Sequence, residues 1–120
     1  MSKNYPEALS RLRGLSSRLA RELPGPMAAY GQLHSRTLSD GALTRREKEL
    51  IALGIAVGSR CEGCIAYHTH DALKAGATRA EILETVGVAV LMGGGPAAVH
   101  GCEVLDALDQ FEAETAPRQA

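Results

Sequence analysis

A chain of 120 residues with thirteen Lys and Arg against fourteen Asp and Glu, a formal charge of −1 and an isoelectric point near 6.4 has little electrostatic reason to seek nucleic acid or an anionic membrane surface. Its length suits one domain over residues 1–120, and a hydrophobic share of 45% is that of a globular protein. Aromatic residues supply only 3%, so the core must come from Leu, Ile, Val and Ala, and a chain this small gains from covering part of its surface by self-association.

In chain order, Leu9, Leu12, Leu19 and Leu23 recur at helical spacing among Arg11, Arg13, Arg18 and Arg21, which predicts an amphipathic first helix. Pro24-Gly25-Pro26 is expected to stop it, with a second helix from Met27 to Leu38 that turns Tyr30 and Leu33 inward. After Ser39-Asp40-Gly41, Thr44 and Glu47 have capping-box spacing and open a third helix. That helix is apolar nearly all round and is expected to be central. A fourth begins near Cys61 and stops before Gly76, and Thr78 with Glu81 caps a fifth. Gly93-Gly94-Gly95 breaks the chain, and Pro96 suits the first turn of a last helix. The fold class is all-α, a bundle of about six helices with a polar tail from about Glu114.

The longest nearly unbroken apolar run, residues 50–58, is too short to span a bilayer, and the first residues lack the apolar core of a secretory signal. A cytoplasmic location is expected. Three cysteines is an odd number, and Cys61 and Cys64 stand two residues apart, a pattern that favours redox or metal chemistry over a structural disulfide framework.

At about 100° per residue, Cys61, Cys64 and His68 fall in one narrow arc with Ile65, Ala72 and Ala75, while His70 and Lys74 lie opposite. Cys64 and His68 have the i, i+4 spacing that brings helical side chains together. Only the thiolate attacks a disulfide or peroxide, and a helix start favours it. An imidazole can take the thiol proton, a carboxylate can orient that imidazole, and a second cysteine can condense with a sulfenic acid. Glu49, where the apolar third helix begins, is the candidate carboxylate. Other readings stay open. Glu49 could pair with Arg45 or Arg46 on the surface, and Cys61, Cys64, His100 and Cys102 could hold zinc. Cys102 reads as packing, His70 as surface, and His34 has no evident partner.

The order Glu49, Cys61-Glu62-Gly63-Cys64, His68, with the GATRAEI turn and the GGGPAAVHG segment, resembles the core of the AhpD-like alkylhydroperoxidase and carboxymuconolactone decarboxylase family from about Leu43 to the last helix. That resemblance implies an all-α fold assembled as homotrimers or homohexamers. It also implies Cys64 as the attacking thiol, Cys61 as the resolving thiol, and Glu49 with His68 as a proton relay. The expected activity is a thiol-dependent antioxidant oxidoreductase, reducing a small-molecule peroxide or a disulfide at the expense of a dithiol reductant, with no cofactor and no bound metal. The alkylhydroperoxidase has a histidine where this chain has Gly63. Two alternatives remain: a decarboxylase-like enzyme using Glu49 and His68 for acid–base work on a small lactone or keto acid, and a zinc-holding structural module.

Overall fold

A computed structural model of the chain describes residues 3–115, and six helices account for most of them: α1 (Tyr5–Glu22), α2 (Pro24–Leu38), α3 (Arg45–Gly58), α4 (Glu62–Lys74), α5 (Arg79–Gly93) and α6 (Gly95–Thr115). There is no strand among the described residues. Local sequence sets most of the boundaries. Asn4 caps α1 by accepting from the Glu7 amide at 3.0 Å. Thr44 and Thr78 each make a reciprocal capping box with the glutamate three residues on, which satisfies two otherwise orphaned amides per helix. Gly76 takes φ +96° just past α4, and Gly94 takes φ +71° between α5 and α6, in the left-handed region that glycine enters without a Cβ clash.

The α1–α2 joint is tighter than expected. The chain turns at Leu23 and α2 starts at Pro24, not Met27. Proline in the first turn gives up no intrahelical hydrogen bond, so the Pro-Gly-Pro run ends one helix and begins the next. The expected polar tail begins inside α6, which continues to Thr115; the rest of it lies outside the described residues.

Helices α3 to α6 enclose the main core, where Leu53, Val57, Ile65, Ile82, Val104 and Leu108 are fully buried. A second cluster of Tyr5, Leu9, Ala66, Ala107 and Phe111 seats α1 on α4 and α6. The expectation of a central third helix holds for one face only: Leu53, Ala56 and Val57 are buried, but Ile51 and Ile55 are exposed. For α2 the expected orientation is overturned. Tyr30 and Leu33 are 61% and 63% exposed, and Leu38 is the helix's buried residue. Periodicity identifies a helix's apolar side but not whether the same chain covers it. No helix among the described residues is long and apolar enough to cross a membrane.

Candidate active site

Cys61 is the N-cap of α4. Its Sγ accepts from the Cys64 amide at 3.3 Å, so this thiol occupies the position a serine or aspartate commonly takes. One turn later Cys64 points along the helix face that packs on the core. The two sulfurs are joined, with Cα atoms 5.2 Å apart, inside the span a disulfide bridges without moving the backbone.

His68 follows Cys64 by four residues on α4, and both line a cleft of about 340 Å³ together with Leu12, Met27, Tyr30, His34 and Tyr67. Glu49 reaches the same place from the first turns of α3. It is fully buried, and its Oε1 lies 2.8 Å from His68 Nδ1. Arg45 approaches the other oxygen at 3.4 Å. The carboxylate is thus an interior partner of the imidazole, and the surface pairing with Arg45 is the weaker of its two contacts. Pairing with Arg46 does not occur, because that guanidinium bonds Glu81 instead.

Burial pushes the Glu49 carboxyl up. The hydrogen bond and charge of His68, joined by those of Arg45, outweigh burial and hold it below its ordinary value. Glu49 is therefore ionised near neutral pH. An ionised carboxylate only accepts, so His68 Nδ1 carries the hydrogen and Nε2 is left as the basic nitrogen. A half-buried base with its tautomer fixed can withdraw a proton from a group in the cleft, and the adjacent cysteine is such a group.

The sequence-predicted quartet of Cys61, Cys64, His68 and Glu49 is thus brought together. The four-ligand zinc set is not assembled: among the described residues, no three His, Cys, Asp or Glu side chains are grouped to hold a metal. His100 pairs with Glu103 at 3.0 Å, and Cys102, read as packing, is exposed. His70 is half-buried rather than on the surface, 2.9 Å from Asp71 and edge-on to Phe111. The residue that sequence reasoning missed is His34. Its ring stacks on His68 with centroids 6.3 Å apart and meets Tyr67 edge-on at 6.0 Å. It sits on α2, far from the cysteines in sequence, so no spacing rule could place it there.

The sequence profile of the Carboxymuconolactone decarboxylase family matches residues 24–107. An uncharacterized protein of Cupriavidus necator is 31% identical over 113 residues, covering 94% of this chain and all of the relative. An uncharacterized protein from the cox locus of Paracoccus denitrificans is 34% identical, covering 91% and 95%. Among solved structures, a carboxymuconolactone decarboxylase family protein of Legionella pneumophila superposes with a TM-score of 0.87 at 37% identity, covering 92% of this chain and 98% of that one. A family protein of Thermotoga maritima, for which a part in the antioxidative response has been suggested, gives 0.80 at 25% identity, covering 89% and 91%. An all-helical chain with a buried glutamate bonded to a histidine that lines a cleft beside Cys64 defines a small α-helical fold of that type. The chain belongs to the carboxymuconolactone decarboxylase family, the AhpD-like family.

Proposed function

We propose that the protein is a thiol-dependent antioxidant oxidoreductase of the alkylhydroperoxidase type, in which Cys64 attacks, Cys61 resolves, and His68 with Glu49 moves the proton. The observation that carries this reading is the 2.8 Å contact of His68 Nδ1 with the buried Glu49, beside the thiol of the cleft. The suggested antioxidative role of the Thermotoga relative is in keeping with it. His68 Nε2 takes the Cys64 proton, and the thiolate displaces alkoxide or hydroxide from a peroxide, leaving a sulfenic acid. Cys61, held one turn away, expels water from that sulfenic acid to form the disulfide. A disulfide substrate follows the same course, with thiolates as the leaving groups. An external dithiol then returns the pair to the reduced state. The Cys61–Cys64 bond corresponds to the oxidised half of such a cycle. The working assembly is a homotrimer or homohexamer.

Cys64 is assigned the attack because it lines the cleft with His68, whereas Cys61 caps the helix outside that lining. Cys64→Ser is expected to abolish reaction with peroxide. Cys61→Ser is expected to complete a single turnover and stop with a sulfenic acid on Cys64, which dimedone labelling and mass spectrometry would detect. A Cys61→Ser protein inert to peroxide, with Cys64→Ser reacting normally, reverses the assignment.

A further inference from the structure

Beside the thiol cleft lies a larger cavity of about 910 Å³, and the two share His34 and Tyr67 in their linings. We infer that the larger cavity is an anion-binding vestibule, and that the disulfide or hydroperoxide reduced at Cys64 carries a carboxylate that docks there. The inference rests on the reading of Cys61 and Cys64 as the redox pair, and it adds the substrate's chemical class.

Charge is the first argument. Arg13 from α1, Arg45 and Arg46 from the start of α3, and Lys74 from the end of α4 converge on the cavity from three helices, and Asp40 and Asp71 are the acids in the lining. Two positive charges remain in excess, in a chain whose overall formal charge is −1. A concave wall with an excess of one sign focuses the field and raises the local level of counter-charged ligands.

Availability is the second. Both acids are already engaged: Asp40 accepts from the Arg45 amide at 2.6 Å, while Asp71 lies 2.9 Å from His70 Nδ1 and 3.4 Å from Arg13. Of the cations, Arg46 is committed to Glu81. Arg45 meets Glu49 through one nitrogen at 3.4 Å, and Lys74 has no acidic partner among the described residues. Donors are therefore left over for a bound anion. The N-terminal end of α3 adds its positive dipole in the same direction.

Continuity is the third. The thiol cleft is lined by apolar and neutral residues with the histidines, and no acid faces it among the described residues. Arg13 stands 5.3 Å over the Tyr67 ring, at the boundary of the two cavities. A ligand with its sulfur–sulfur or oxygen–oxygen bond at Cys64 would cross over the His34 and Tyr67 rings, which line both cavities, and place an anionic tail among the cations.

The test uses the reduced full-length protein and three linear disulfides of similar length: 3,3′-dithiodipropionate with two carboxylates, neutral bis(2-hydroxyethyl) disulfide, and cystamine with two ammonium groups. In each, Cys64 displaces one thiolate and Cys61 then displaces the second. Two electrons pass from the protein pair to the substrate, giving two thiols and the Cys61–Cys64 disulfide. Single-turnover rate constants at low salt should fall from dianion to neutral to dication by about tenfold a step. They should converge near 1 M salt, where screening acts within about 3 Å. Lys74→Gln should shrink the dianion-to-neutral ratio, and Lys74→Glu should shrink it further.

Binding is measured apart from chemistry with octanedioate, the sulfur-free analogue of the dianion, titrated calorimetrically into the oxidised protein. Saturable binding that weakens in Lys74→Glu supports the vestibule. If octanedioate binds in this way while no disulfide is turned over, the vestibule stands and the redox reading fails. Equal rates for the three disulfides, or octanedioate binding that is absent or indifferent to Lys74→Glu, overturns the inference.

Discussion

At the scale of single residues, the most informative position is Glu49, a charged side chain with no exposed surface at the start of an otherwise apolar helix. An unpaired buried carboxylate would be costly, and His68 together with Arg45 offsets that cost. Because its pKa in the fold lies below the ordinary 4.5, ionised Glu49 adds stability above pH 4.5. That stability is lost as the pH falls through the lowered value. Denaturant midpoints between pH 7 and pH 3 should therefore drop more steeply for the native chain than for Glu49→Gln. Activity responds in the opposite part of the scale. Without the carboxylate nothing holds the hydrogen on Nδ1 and leaves Nε2 free to accept, so Glu49→Gln should alter the pH–rate profile for Cys64 oxidation and slow it at pH 7 by about tenfold or more. A profile left untouched would remove Glu49 from the relay. Elsewhere on α4, the Thr69 hydroxyl is buried with no hydrogen-bond partner among the described residues. Thr69→Val keeps the shape and removes the stranded polar atom, so it should raise stability by about 1 kcal/mol in thermal or denaturant unfolding. Glu49, His68 and the cysteines were legible in the sequence because each lies within a helical repeat or at a helix start. His34 was not, because its neighbours are fixed by how α2 folds back, and no local pattern encodes that.

At the scale of elements, boundaries were the most legible feature. The two Thr-x-x-Glu boxes, Gly76 and Pro96 each act through hydrogen bonds or backbone angles within a few residues, so sequence alone suffices to place them. Close approach between helices was less legible, since a glycine inside a helix carries no label for what lies opposite. Gly101 on α6 is such a case: a Cβ there would come within 2.8 Å of Val86 Cγ1 on α5. The contact is with a β-branched side chain in a packed joint, which has little room to yield. Gly101→Ala gains helix propensity and would stabilise an exposed helix by about 1 kcal/mol. Here overpacking should dominate and leave a net loss of about 1–3 kcal/mol by denaturant unfolding. A neutral or stabilising result would show that α5 and α6 can separate freely.

At the scale of the whole molecule, the question is what covers α5 and the adjoining side of α3. The sequence makes α5 apolar on more than one face, and the fold buries only Ile82 and Ala89 of it while leaving Val88, Leu91 and Met92 exposed, the last two by 82% and 81%. Ile51 and Ile55 of α3 are exposed as well, and a groove of about 700 Å³ runs between the helices, lined by these isoleucines with Leu50, Val88 and Met92. Single exposed apolar residues need no explanation, but a contiguous apolar groove on so small a chain marks an interaction surface. Self-association accounts for it without invoking another protein, and a chain of this length has most to gain from burying more surface. Light scattering at micromolar concentration should therefore give a trimer or hexamer. Ile55→Asp and Met92→Glu each place a charge in the groove, where it would lose water without gaining a partner, so both should shift the distribution toward monomer. Because neither residue contributes to the core, the helical content of each variant by circular dichroism should match the native chain. A native chain that scatters as a monomer would leave the groove without a second copy to cover it.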